Sequence, residues 1–253
     1  MTNDDGVTSE GLRLLRELIL SMGFRDIVVV APKTDKTASG HALSIHKRLK
    51  IEEIENNTFA VDGTPVDCVI TAFYDPRCTG NGTPEVVFSG VNIGANLGID
   101  TMYSGTVAAA MQGMFFGVPS FALSQFYESG VGIRWNVHSS HLKDYILGVL
   151  ENRQTFKNCV LNINLPSKRI IGIKHVKQYN TEEKKATDAS AIAISTHSID
   201  NEEYITIETT GSPQSCQFLS SGYVTVTPIG SDLTDYSVLK ALDEDPSRRQ
   251  NGD

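Results

Sequence analysis

The stretch Ser89-Gly90-Val91-Asn92-Ile93-Gly94-Ala95-Asn96-Leu97-Gly98-Ile99-Asp100, continuing through Thr101-Met102-Tyr103-Ser104-Gly105-Thr106 into an alanine-rich run, decides the fold. The apolar residues 85–89 before it read as a buried strand. A helix over 106–116 follows, stopped by Gly117 with Pro119 beyond. Strand, glycine-rich loop and helix in that order form a βα unit, whose functional loops lie at the strand's C-terminal end. The glycines let the backbone approach a ligand closely. Asn92 and Asn96 offer neutral oxygens or amide donors. Ser104, Gly105 and Thr106 stand where a helix begins, with unpaired N–H groups and the positive end of the dipole, a ready anion site. The glycine spacing fits neither Walker A nor G-x-G-x-x-G. A plain helix cap with tight packing through Ala108, Ala109 and Ala110 accounts for the same residues without a ligand.

Upstream, Leu12, Leu15, Ile19 and Met22 recur at helical spacing over 8–22, with Thr8 or Ser9 as cap and Gly23 as stop. Residues 26–31 form a short apolar run ended by Pro32, and 59–62 a second short strand. Gly63-Thr64-Pro65 opens another helix, with Thr64 as cap and Pro65 at its first position. Residues 120–124 add a strand. Strands alternating with helices predict an α/β fold on a mostly parallel sheet.

The second half differs. A helix is expected over 141–150 and a strand over 159–165. Residues 191–196 and 204–209 alternate apolar and polar around Asp200-Asn201, a hairpin turn. Residues 223–227 alternate too, 232–242 read as a short capped helix, and 244–253 as a frayed polar tail. The expected organisation is one domain over 1–253, with an α/β core over about 1–150 and a β-hairpin arm over about 185–210.

The 253 residues carry 22 Lys and Arg against 30 Asp and Glu, a net charge of −8. That balance argues against a nucleic-acid polymer as partner, because backbone affinity needs a basic face. A small phosphorylated substrate stays open. The 4 cysteines form no C-x-x-C pair, so reduced thiols are expected. No apolar run approaches the ~18 residues of a membrane span, and the first residues do not read as a signal peptide. A cytoplasmic location without membrane association is the expectation.

Two further segments carry chemistry. In Asn3-Asp4-Asp5-Gly6, adjacent carboxylates before a helix suit a hard divalent cation, which prefers oxygen ligands; an ordinary Asp-Gly turn is the alternative. The loop Pro32-Lys33-Thr34-Asp35-Lys36-Thr37-Ala38-Ser39-Gly40-His41 mixes hydroxyls, lysines and a histidine directly after a buried strand, where α/β folds bind ligands. A solvated loop is the plainer reading.

Taken in order, several motifs resemble those of the survival protein E (SurE) family of metal-dependent nucleotidases. They are Thr2-Asn3-Asp4-Asp5-Gly6, Val29-Val30-Ala31-Pro32, Ser39-Gly40-His41, Gly63-Thr64-Pro65-Val66-Asp67-Cys68 and Ser89-Gly90-Val91-Asn92. Tyr103-Ser104-Gly105-Thr106-Val107, Gly117-Val118-Pro119-Ser120, Leu161-Asn162-Ile163-Asn164-Leu165-Pro166 and Gly222-Tyr223-Val224-Thr225-Val226-Thr227-Pro228 continue the series. The resemblance implies a Rossmann-like, mostly parallel sheet with helices on both faces and a C-terminal β-hairpin arm exchanged between subunits of a homodimer or homotetramer. It implies hydrolysis of nucleoside monophosphates at the 5′ or 3′ position, and in some members of short polyphosphate, with one divalent ion, Mg²⁺ or Mn²⁺. Carried over by position, Asp4, Asp5, the Thr37 hydroxyl and Asn92 would hold the metal, with Asp4, Asp5 and Asn92 as the catalytic set. Asn96, Ser104, Gly105 and Thr106 would hold the phosphate.

Three departures stand out. The family usually has serine at the position of Thr37. The segment after residue 175 reads Val176-Lys177-Gln178-Tyr179-Asn180, without the expected basic and aromatic residues. The family also places a hydrophobic strand before Thr2, of which Met1 alone is present. Asp4 and Asp5 are therefore expected to hang from a poorly ordered terminus, at a cost in stability and activity. The alternative from another class is a non-catalytic nucleotide-binding or scaffold protein that keeps this fold.

Overall fold

Ser9 caps the first helix, α1 (Glu10–Ser21), its hydroxyl accepting from the Leu12 N–H at 3.4 Å. Leu12, Leu14, Leu15, Leu18 and Ile19 then form one buried stripe. The computed structural model describes residues 1–80, 82–127, 132–156, 158–178, 192–199, 202–209 and 213–244. After α1 come β1 (Val29–Pro32), β2 (Ile51–Glu55), β3 (Thr58–Val61) and α2 (Pro65–Tyr74). Thr64 and Asp67 start α2 with a reciprocal capping box. β4 (Val87–Ile93), α3 (Asp100–Tyr103), α4 (Gly105–Phe115) and β5 (Ser120–Gln125) complete the βα unit expected from the glycine-rich stretch. α5 (Ser140–Glu151), α6 (Arg153–Phe156), β6 (Val160–Leu165) and β7 (Gly172–His175) follow. The chain then forms β8 (Ile192–Ile199), β9 (Glu202–Thr209), α7 (Pro213–Ser220), β10 (Tyr223–Ile229) and α8 (Tyr236–Glu244).

The strands make a five-stranded sheet of order β4-β5-β6-β10-β7, a three-stranded sheet β1-β3-β2, and the hairpin β8-β9. β4, β5 and β6 run parallel, β10 is antiparallel to β6, and β1 is parallel to β3. Helices cover both faces of the larger sheet. Leu15, Leu18, Leu142 and Ile146 from α1 and α5 pack with Phe88, Phe121, Leu161 and Ile163 on one face. On the other, Val107, Ala110 and Met114 of α4 pack with Ala122, Val160 and Ile229. Stripping this apolar surface from water on both faces is what holds the layers together.

The expectation that the acid pair hangs from a loose terminus is corrected. Residues 1 and 2 are stitched between the two sheets. The Met1 amino group donates to the Val28 carbonyl at 2.6 Å, and Val30 N–H donates to the Met1 carbonyl at 3.0 Å. On the other side Thr2 N–H donates to the Phe88 carbonyl at 3.0 Å, and Gly90 N–H to the Thr2 carbonyl at 2.9 Å. Thr2, Asn3 and Asp4 are buried as a result. Below the stitch lies a cavity of ≈ 560 Å³ between the segments 24–28 and 84–88.

The hairpin forms as its alternation predicts, with Ile199 opposite Glu202 across the turn. The turn residues 200–201, the start of the arm at 185–191 and the tail from 245 lie outside the described residues. The last helix begins at Tyr236 rather than near 232, because Asp235 accepts from the N–H groups of Ser237 at 3.0 Å and Val238 at 3.2 Å. Among the described residues no helix is long and apolar enough to cross a membrane.

Candidate active site

The site is built where β4 leaves the ladder. Ser89 pairs with Ala122 but Asn92 with Ser124, so three steps on β4 meet two on β5. Gly90 makes this bulge at φ +128°, and a Cβ there would lie 2.2 Å from the Leu123 carbonyl oxygen. Beyond the bulge the Asn92 amide nitrogen donates to the carbonyls of Gly94 at 2.8 Å and Ile93 at 3.1 Å. Both donor hydrogens are spent on the chain, which leaves Oδ1 as the group able to accept a cation or donor.

Asp4 is held by the first turn of α4. The Thr106 hydroxyl donates to Oδ1 at 2.5 Å and the Thr106 N–H to Oδ2 at 3.2 Å. Burial nonetheless pushes the Asp4 carboxyl above its ordinary range, against the pull of those bonds. Asp5 is pushed up to about 7, first by burial, then by the charges of Asp4 and Asp35. Its Oδ2 is buried without a hydrogen-bond partner. Crowded, desolvated carboxylates with an unpaired oxygen are what a bound cation would relieve. Among the described residues no group of three or more His, Cys, Asp and Glu is arranged to hold a metal, so neutral oxygens must complete any shell. Asp4, Asp5 and Asn92 Oδ1 fit that need.

The loop over 33–40 closes on the acid pair through Lys36 N–H, which donates to the Asp4 carbonyl at 2.8 Å. Thr37 is exposed, and its hydroxyl and N–H both donate to Asp35 Oδ1, at 2.6 and 2.7 Å. The hydroxyl expected on the metal therefore donates its hydrogen to a third carboxylate, which fixes its orientation and leaves its oxygen lone pairs free for a cation. Asp35 was not singled out from the sequence; a lone acid in a polar loop gives no signal until the fold brings it to the pair.

At the start of α4 the Ser104 hydroxyl accepts from the Val107 N–H at 3.1 Å and keeps its own hydrogen to donate. Gly105 packs against the acid pair: a Cβ would stand 2.8 Å from Ser39 Oγ and 2.9 Å from Asp4 Cβ. Ser39 Oγ is itself buried with no partner. Asn96 is buried, and its amide donates to Ser124 Oγ at 2.8 Å. Of the expected phosphate residues, Ser104 and Gly105 border Asp4 or its clasp directly, Thr106 serves Asp4, and Asn96 is fixed from β5.

The sequence matches the family described as Survival protein SurE over residues 1–189. The chain belongs to the SurE family. A relative from Caldanaerobacter subterraneus subsp. tengcongensis, named 5'-nucleotidase SurE, is 35% identical over 257 residues, covering 96% of this chain and 94% of its own. A protein of the same name from Ehrlichia chaffeensis is 32% identical over 249 residues, covering 96% and 95%. The crystal structure of the SurE protein from Aquifex aeolicus superposes with a TM-score of 0.72 at 31% identity, covering 96% of both chains. The SurE likeness thus spans core and arm together, and the α/β architecture expected from the sequence is that of the SurE fold.

Proposed function

We propose that the chain is a metal-dependent phosphomonoesterase that hydrolyses nucleoside monophosphates, at the 5′ or the 3′ position, to nucleoside and phosphate. The observation that carries this reading is the adjacent pair Asp4 and Asp5, crowded and desolvated against the N-terminal turn of α4. Family membership and the shared name of the relatives support it.

Asp4, Asp5, Asn92 and Thr37, its hydroxyl oriented by Asp35, would hold one divalent ion, Mg²⁺ or Mn²⁺. Such an ion supplies charge neutralisation on the phosphoryl group when bound. The Ser104 hydroxyl, the Gly105 backbone and Asn96 orient the phosphate oxygens, helped by the positive end of α4. Thr106 keeps the Asp4 carboxylate in one orientation. The nucleophile is water, and the unpartnered Asp5 Oδ2 is free to help hold the ion beside it.

The 1–253 chain is read as one unit whose arm and C-terminal helix join a second copy in a homodimer or homotetramer. The support is apolar exposure: Leu233, Tyr236, Val238, Leu239 and Leu242 around α8 and Ile205 on the hairpin all face solvent in the single chain. Nucleotide binding without turnover is the second reading, favoured by the sequence Val176-Lys177-Gln178-Tyr179-Asn180, which lacks the basic and aromatic residues expected there. Phosphate release from a nucleoside monophosphate with Mn²⁺, abolished by chelator, decides for catalysis; binding without release decides for the alternative.

A further inference from the structure

We infer that Asn162 and Asn164 are positioning residues for the phosphate pocket, acting through the main chain of Asn96; the inference rests on the phosphomonoesterase reading. Asn96 belongs to the loop after β4, so no strand neighbour satisfies its backbone, yet the residue is buried. Buried peptide groups must find partners. Here they find them in two side chains. Asn164 Oδ1 accepts from the Asn96 N–H at 2.8 Å, while Asn164 Nδ2 donates to the Asn96 carbonyl at 3.2 Å. The amide of Asn164 thereby stands in for a missing ladder strand. Asn162 Nδ2 donates to the same carbonyl at 2.8 Å.

The register explains why these two residues can act together. They are two apart on β6 and share a face. Asn164 lies opposite Ser124, and Asn162 opposite Ala122, on β5. Ser124, from the same face, receives the Asn96 side-chain N–H. Backbone and side chain of Asn96 are thus fixed from one side, and its Oδ1 has no partner among the described residues. Asn162 and Asn164 are 1% and 0% exposed, too deep to meet a substrate themselves. Whatever they contribute to phosphate binding passes through Asn96.

The test is a double-mutant cycle on the full chain with Mn²⁺, using Asn164→Leu, Asn96→Ala and their combination. Three quantities are read: KM for a nucleoside monophosphate, inhibition by inorganic phosphate, and half-saturation by Mn²⁺. Asn164→Leu should raise KM and the phosphate inhibition constant about tenfold, the equivalent of ~1.4 kcal/mol. Half-saturation by Mn²⁺ should not move, because the ion's candidate ligands are elsewhere. In the Asn96→Ala background Asn164→Leu should add nothing, since coupled residues are non-additive. Asn162→Ala withdraws only the Nδ2 bond to the Asn96 carbonyl and serves if Asn164→Leu does not fold; it should shift the same two quantities less. Independent, additive effects, or a shift in Mn²⁺ half-saturation with phosphate inhibition unchanged, overturn the inference. If the wild-type chain releases no phosphate, the functional reading fails separately, and calorimetric titration of inorganic phosphate into the same variants still decides the role of Asn164.

Discussion

Thr106 grips both oxygens of Asp4, its hydroxyl on Oδ1 and its N–H on Oδ2, across 102 residues of chain. The clasp fastens the N-terminal loop to the first turn of α4. Removing the hydroxyl with Thr106→Val leaves a buried carboxylate short of one donor, a cost of ~1–3 kcal/mol in stability. The melting temperature of the metal-free variant should fall accordingly. Mn²⁺ should recover part of the loss by pairing with the bared oxygen, which differential scanning calorimetry with and without the ion will show.

The acid pair should be expendable to the fold and indispensable to turnover. Asp4→Asn and Asp5→Asn keep shape and remove charge, so phosphate release should drop by at least about a hundredfold, the scale of a lost electrostatic catalyst. Full turnover of Asp5→Asn at limiting Mn²⁺ would disprove the assignment.

Stability should also depend on pH through Asp5. Its folded-state pKa, pushed up to about 7, lies above the unfolded value of 3.8. Below the unfolded value both states are protonated and the contribution is fully present. As pH climbs from about 4 to about 7, the unfolded chain releases its proton first, and the metal-free fold loses stability. Denaturant titrations at several pH values should show this decline, and Asp5→Asn should flatten it. Absence of a slope in the wild-type chain would count against the crowded dyad.

Gly105 has no room for a methyl group. With a Cβ placed 2.8 Å from Ser39 Oγ and 2.9 Å from Asp4 Cβ, Gly105→Ala must displace one of them. Turnover should fall about tenfold or more, because a small misplacement of a catalytic group is costly. The melting temperature should change modestly, since Ser39 can move toward the loop.

The exposed side of α8 should govern assembly. Leu239 and Leu242 are each 44% exposed in the single chain, beside Val238 and Tyr236. Leu239→Glu with Leu242→Glu should shift the mass measured by light scattering to that of a monomer. A parent chain already monomeric at micromolar concentration would remove the claim.

Much of this was legible in the sequence. The 3.6-residue stripe of α1, the strand–glycine–helix order around β4 and α4, and the alternation of the hairpin each reflect one dominant local force. Other parts reflect several forces at once. β2 reads Ile51-Glu52-Glu53-Ile54-Glu55, an edge strand whose acids face water, and its pattern looks like solvated loop until β3 lies beside it. The strand β4 runs four residues beyond its expected end at 89, because a bulge at Gly90 lets it pass through what composition marks as loop. Asp35, Ser39 and the pair Asn162 and Asn164 owe their places to contacts far along the chain, and no local spacing announces such contacts.

The position of β10 carries a consequence for how the chain folds. β10 lies between β6 and β7, two strands that precede the hairpin and α7 in sequence. While the chain emerges, β6 and β7 must wait with a vacant lane between them, their edges open. The lane fills when Tyr223–Ile229 returns and pairs with both. Closure is therefore a non-local event, of the kind that loop-closure entropy makes slow. Until it happens, the lane offers two unpaired edges, the condition under which a strand from another copy can enter in place of the chain's own.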